Sequence, residues 1–227
     1  MRLEIASHKA IKYACMNFHY AKAVPVNTFG YSVFNDKNEW CGVILYGTGA
    51  NNNLAMQYNL NQGNVLELVR VALNGKHEST SKALAISLRL IKHKIPLCKL
   101  IISYADKDQN HNGIIYQATN WYYTGQSMLN KKDASYIIDG KRIHGKTISD
   151  KCKRYGLSKN IENAKKVIEY ITRGKIKYIY PLDKKLIPLC KSLSKPYPKN
   201  AEIAHKGERL SSRQEGAFDS TVPLKNN

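Results

Sequence analysis

Between Asn64 and Asp106 the chain reads strand, helix, strand, and this stretch restricts the fold more than any other. "NVLELVRVAL" (64–73) has strand character. "STSKALAISLRLIKHK" (79–94) brings Ala83, Leu84, Ser87, Leu88, Leu90 and Ile91 to one side of a helix that Pro96 stops. "CKLIISYAD" (98–106) is nearly continuous apolar sequence, the pattern of a strand inside a sheet. Two strands joined by one helix lie parallel, with a right-handed crossover.

The flanking segments suit antiparallel pairing. A helix over 8–21, with Ile11, Ala14, Cys15 and Phe18 inward, cannot continue through Pro25. "TFGYSVFN" (28–35) and "EWCGVILYG" (39–47) surround the turn residues Asp36-Lys37-Asn38 and read as a hairpin. Residues 48–63 are Asn/Gly-rich and read as a loop. "GIIYQATNW" (113–121) is a short helix, and "WYYTGQSML" (121–129) begins a strand. "IIDGKRI" is a hairpin on Asp139-Gly140. "SKNIENAKKVIEYITRGK" reads as an amphipathic helix with Ile161, Ala164, Val167, Ile168 and Ile171 inward, stopped by Gly174. "KIKYIYPLDKKL" is the last strand. The sum is an α/β (α+β) fold: a mixed, mostly antiparallel sheet with one parallel pair, flanked by helices. It forms a single domain over 1–194, and 195–227 reads as a low-complexity, disordered tail.

Charge narrows the partner. Lys plus Arg number 36 against 17 Asp plus Glu, a net charge of +19, and such an excess points to a polyanion. Residues 151–191 are the most basic part. No apolar run reaches the ~20 residues that span a bilayer, and the N-terminus is too polar for a signal peptide. The five cysteines are scattered without a CxxC pair, which argues against a zinc ribbon and for free thiols in a reducing cytosol.

Four places offer chemistry. The helix start at Ser79, Thr80, Ser81 and Lys82 presents free N–H groups and hydroxyls suited to a phosphate, or else an ordinary serine cap. Glu67 and Arg70 interrupt an apolar strand; their odd offset places them on opposite faces, one toward a cleft. Asp106 ends a central strand, and Tyr116 follows one turn into a short helix, where its hydroxyl can move a proton. His19, in "FHYAKAVP", is a base, a metal ligand, a phosphate contact or a structural residue. No histidine spacing specifies a metal.

"LELVRVAL" followed by "ESTSKALAISL" resembles the acetyl-CoA-binding core of the GNAT acyltransferases, although "NGKHESTS" stands where that family has a glycine-rich loop. The ordered set "FHYAKAVP", "CGVILYG", "LELVRV", "STSKAL", "ISYAD", "GIIYQATNWYYTG" and "KYIYPL" resembles the bacteriophage Mom family over about residues 10–190. That resemblance implies a GNAT-like enzyme converting adenine N6 in double-stranded DNA to a carbamoylmethyl derivative, protecting phage DNA from restriction in the bacterial cytoplasm. It implies acetyl-CoA at Ser79–Ser81 and a site of His19, Glu67, Arg70, Asp106 and Tyr116. It allows an iron on His19, Asp106 or Glu67. In that scheme Asp106 or His19 handles the attacking nitrogen and Tyr116 the leaving group, while Trp121, Tyr122, Tyr123 or Tyr20 stacks on a flipped base. A conventional GNAT acetylating a protein or small-molecule amine is one alternative. A non-enzymatic DNA-binding protein is another, with "TISDKCKRYGLSKNIENAKKVIEYI" as a helix–turn–helix around Gly156.

Overall fold

The computed structural model describes residues 1–49, 53–127, 132–138, 141–144, 148, 165–171 and 173–198, with the strands between 132 and 171 defined by their backbone pairing. In chain order the elements are β1 (Arg2–Ile5), α1 (His8–Asn17), β2 (Thr28–Phe34), β3 (Trp40–Gly47), β4 (Val65–Leu73), α2 (Thr80–Lys94) and β5 (Leu100–Asp106). They are followed by α3 (Ile114–Gln117), β6 (Tyr122–Ser127), β7 (Lys132–Ile138), β8 (Lys141–His144), β9 (Lys165–Ile171), β10 (Lys175–Pro181) and α4 (Ile187–Leu193).

The strand–helix–strand unit forms as its sequence requires. Ser79 caps α2, its hydroxyl accepting from the Lys82 N–H at 3.2 Å. Ala83, Leu84, Ser87, Leu88 and Ile91 are buried on the side that periodicity assigned, with Leu90 half-buried beside them. β4 and β5 pair in parallel, and every other pair in the sheet is antiparallel. The strand order is β1-β2-β3-β4-β5-β10-β6, the mixed, mostly antiparallel sheet with one parallel pair. The latest strand in the chain is thus inserted between β5 and β6.

Apolar side chains fill both faces of this sheet. One cluster joins Ile44, Tyr46, Leu68, Leu84, Ile91, Ile101, Tyr116, Trp121 and Tyr178 with α2 and α3. On the other face, Ile11, Ala14 and Cys15 of α1 meet Val43, Leu45 and Ala72, while Leu54, Ala55 and Tyr58 meet Leu100, Ile102, Ile179 and Cys190. Each large apolar side chain fully removed from water contributes ~1.5–3 kcal/mol. The 48–63 stretch read as a plain loop therefore supplies three core residues. β1 and α4 were not anticipated either.

One basic segment differs from expectation. Lys165–Ile171, read as part of an amphipathic helix, is strand β9, paired antiparallel with β7 in a separate sheet of order β8-β7-β9. Val167, Ile168, Tyr170 and Ile171 are β-branched or aromatic, which suits a pleated ladder better than a helix. The second helix of the helix–turn–helix alternative is lost with it. Gly156, Cys152, the Asp139-Gly140 turn and the tail beyond Pro198 lie outside the described residues. Within the described part, Lys195 donates its backbone N–H to the Tyr123 carbonyl (2.8 Å) and the Tyr197 hydroxyl donates to the Trp121 carbonyl (2.7 Å). The four described cysteines are buried and unpaired. Among the described residues no helix is long and apolar enough to cross a membrane.

Candidate active site

The parallel ladder is short. Val65–Leu68 pair with Leu100–Ser103, and beyond that point the register ends and the two strands part. A cleft of about 470 Å³ opens there, lined by Glu67–Val71, Leu73 and Tyr104–Asp106 together with α3, the start of α2 and the segment after α1. Its volume lies in the range of small-molecule sites.

A bulge arranges one wall. Leu45 of β3 pairs with Arg70 but the adjacent Tyr46 pairs with Leu68, so Val69 is an extra residue in β4. The inserted residue resets the alternation, and Glu67 and Arg70 line the same cleft rather than facing opposite ways. Arg70 Nη1 donates to the Val69 carbonyl at 2.8 Å. Its Nε is buried without a hydrogen-bond partner among the described residues.

At one end lie His19, Tyr20 and Asp106. His19 is 9% exposed, and its Nδ1 accepts the Ala21 N–H at 3.1 Å. Burial, followed by the positive fields of Arg70, His111 and Lys22, lowers its pKa to about 4. The ring is therefore neutral near pH 7. With Nδ1 accepting, the proton sits on Nε2, which makes His19 a donor toward the cleft. The Tyr20 ring lies 4.2 Å from that of His19, meets His111 edge-on at 5.8 Å, and remains 45% exposed. Its hydroxyl donates to Asp106 Oδ2 at 3.3 Å. Burial, then the Asp106 carboxylate, raises the Tyr20 pKa to about 12. The other Asp106 oxygen accepts the Asp108 N–H at 2.9 Å, closing the turn after β5.

Tyr116 forms the floor. It is 7% exposed, packed against Trp121 (5.1 Å) and Tyr178 (5.0 Å), with its hydroxyl 2.8 Å from Ser103 Oγ. Burial raises its pKa to about 12. Gly113 starts α3 at φ 75°, a left-handed conformation that glycine takes without strain, close against the Tyr178 ring.

The start of α2 contributes less than its sequence suggested. Thr80 lines the cleft, with Gly75 and His77, but Ser79, Ser81 and Lys82 do not. The Ser79 hydroxyl is occupied as the cap and lies 3.0 Å from that of Ser81. His77 Nε2 is 2.7 Å from Thr80 Oγ1, and its Nδ1 is buried without a hydrogen-bond partner among the described residues. His77, Ser103, Tyr104, His111 and Ile114 escaped sequence reasoning; only His111 had a signal, the loop directly after a central strand. Of the aromatic residues proposed for stacking, Trp121 is fully buried in the core and Tyr20 faces the cleft. Among the described residues no three of His, Cys, Asp or Glu converge as a metal-binding group. His19, Glu67 and Asp106 are not gathered into such a group.

The chain is 26% identical over 153 residues to the methylcarbamoylase mom of Escherichia phage Mu, a match covering 66% of this chain and 62%, less than two thirds, of that protein. Solved structures of similar shape include a Vibrio cholerae spermidine N-acetyltransferase in complex with CoA and spermine, at 7% identity, covering 82% of this chain and 97% of that one with TM-score 0.45. Another is a Bacillus subtilis acetyltransferase in complex with CoA, at 9% identity, covering 79% of this chain and 97% of that one with TM-score 0.44. The model of the Mom protein family matches residues 1–199, nearly the whole described chain, and the protein belongs to that family.

Proposed function

We propose that this protein modifies adenine in double-stranded DNA at N6, using acetyl-CoA and leaving a carbamoylmethyl group that shields phage DNA from restriction in the bacterial cytoplasm. The observation that carries the reading is the cleft between β4 and β5, where a neutral His19 and the Tyr20–Asp106 pair sit at one end and the Tyr116 hydroxyl forms the floor. The Mu relative's name, methylcarbamoylase, supports the product. The net charge of +19 supports a polyanionic partner held by salt-sensitive phosphate contacts.

Six side chains have roles in this reading. N6 is paired in duplex DNA, so the target base must leave the stack. Tyr20, with one side of its ring on His19, offers a platform for it. Asp106 accepts from N6 and takes its proton. His19 Nε2–H orients the base and is not the proton acceptor, because its free nitrogen is already protonated. His77 and Thr80 fit a cofactor phosphate, since the buried Nδ1 of His77 lacks a partner. When bound, acetyl-CoA supplies a two-carbon unit activated as a thioester. The Tyr116 hydroxyl gives its proton to the departing sulfur. Transfer alone leaves N6-acetyladenine. The carbamoylmethyl group carries an amide nitrogen in addition and is attached through its methylene carbon, so product mass is the discriminating measurement.

The test is to express the protein with plasmid DNA, digest the DNA to nucleosides and weigh deoxyadenosine by mass spectrometry. A carbamoylmethyl adduct that disappears in Asp106→Ala and Tyr116→Phe is expected. Unmodified deoxyadenosine from the folded protein would refute the reading, and an acetyl adduct would replace it with simple acyl transfer.

A further inference from the structure

Ser103 is a hydroxyl in an otherwise apolar stretch of β5, following Leu100, Ile101 and Ile102, and it is 1% exposed. Burying a hydroxyl is unfavourable unless it is hydrogen-bonded, and Ser103 has two oxygens within reach. Its Oγ lies 2.9 Å from the Leu68 carbonyl and 2.8 Å from the Tyr116 hydroxyl. Leu68 and Ser103 are also the last registered pair before β4 and β5 part. A serine hydroxyl carries one proton, so it can donate to only one of the two oxygens at a time. The Ser103 hydroxyl is the donor toward both oxygens, so while Tyr116 is protonated the Ser103 proton is drawn to the Leu68 carbonyl as well as to the Tyr116 oxygen, and the Tyr116 proton is left for the cleft. When Tyr116 loses its proton, its oxygen becomes the stronger acceptor.

We infer that Ser103 is a positioning residue whose hydroxyl proton turns from the Leu68 carbonyl to the Tyr116 oxygen as Tyr116 gives up its own. This rests on the function proposed above. In the step concerned, Tyr116 would give its proton to the cofactor sulfur as the acyl carbon leaves that sulfur for a nitrogen nucleophile, and the proton lost by that nitrogen would go to the Asp106 carboxylate. The Ser103 O–H bond stays intact and only rotates. Return of the Asp106 proton to Tyr116 through solvent restores the start. The titratable groups around the Tyr116 hydroxyl include Tyr46 from β3, Tyr20 from the segment after α1, Tyr178 from β10 and Glu67 from β4, and the last three disfavour a phenolate. Ser103 alone among these neighbours favours one. That sets it apart from a serine that merely closes the end of a ladder.

The experiment places a fluorotyrosine at position 116 and follows its titration by fluorine NMR in the full chain, in the wild type, Ser103→Ala and Ser103→Thr. DNA modification is measured on the same three backgrounds with native Tyr116. Ser103→Ala should move the phenol titration upward and lower kcat about 10- to 100-fold, leaving KM unchanged. Ser103→Thr, which keeps the hydroxyl, should restore both. An unmoved titration in Ser103→Ala overturns the inference, as does wild-type kcat in that variant. Because the titration needs no turnover, a shifted phenol in a protein that never modifies DNA would refute the proposed function and leave the Ser103–Tyr116 coupling standing.

Discussion

Replacing Gly113 by alanine should be among the most damaging single-methyl changes in this protein. A Cβ there would lie 2.3 Å from Tyr178 Cε2, 2.6 Å from Cζ and 2.7 Å from the hydroxyl oxygen. The ring cannot easily retreat. It is fully buried, lies between Tyr116 (5.0 Å) and Tyr123 (5.8 Å), and its hydroxyl donates to the Asn112 carbonyl at 2.8 Å and accepts from Gln117 at 3.1 Å. Overpacking of this kind costs ~1–3 kcal/mol, and the left-handed backbone adds ~1–2 kcal/mol for a residue with a Cβ. The sum, about 2–5 kcal/mol, is a large part of a typical stability of ~5–15 kcal/mol. Gly75→Ala supplies the control. Its φ of 80° carries the same backbone term, but no atom lies within 4 Å of its Cβ position. Urea unfolding with linear extrapolation should place Gly113→Ala below Gly75→Ala by roughly the clash alone, ~1–3 kcal/mol. Two variants of equal stability would refute the packing argument. Because Gly113 starts the helix that carries Tyr116, a folded Gly113→Ala protein should also lose DNA modification more than Gly75→Ala does.

Other perturbations read out the rest of the site. The folded His19 pKa, about 4, lies below the 6.5 of an ordinary histidine. The unfolded chain therefore binds the extra proton between these values, and stability falls as pH drops from about 6.5 toward 4. After discounting for partial solvent contact the loss over the whole window is roughly 2 kcal/mol, about half of it between pH 7 and pH 5; urea unfolding at these two values should show a slope in the wild type that is smaller in His19→Gln, where His77 still contributes, and an equal slope in both would reject the assignment. Arg70→Met removes a buried Nε that has no hydrogen-bond partner among the described residues and should leave thermal stability unchanged or raised by ~1 kcal/mol; a marked drop in melting temperature would show that the guanidinium is structural. Tyr20→Phe keeps the ring and loses a long hydrogen bond of 3.3 Å, whereas Tyr20→Ala loses the platform, so modification should fall several-fold in the first and about 10- to 100-fold in the second. Identical losses in a nucleoside assay would argue against stacking.

What could be read from the sequence, and what could not, follows the range of the interactions involved. The β4–α2–β5 unit was legible because period, cap and stop signals are local: α2 buries the side its spacing marks, and Ser79 caps it. Asp106 and Tyr116 were legible because both follow the end of a central strand. Glu67 and Arg70 were misplaced because alternation fails at Val69, and that bulge is set by where Leu45 and Tyr46 pair across the sheet. Nothing within "LELVRV" announces it. Lys165–Ile171 failed similarly: Val167, Ile168 and Ile171 satisfy a helical spacing and a strand composition at once, and pairing with β7 decides between them. Of the three hydroxyls at 79–81, Thr80 lines the cleft while that of Ser79 is engaged as the helix cap. The Tyr20–Asp106 contact joins residues 86 positions apart and exists because β4 and β5 separate after Leu68 and Ser103. The same separation leaves the Leu68 carbonyl beside Ser103 and gives Tyr116 its hydroxyl partner. A serine within a run of isoleucines is visible in any reading of the sequence, but its meaning depends on the residue at which two strands stop pairing.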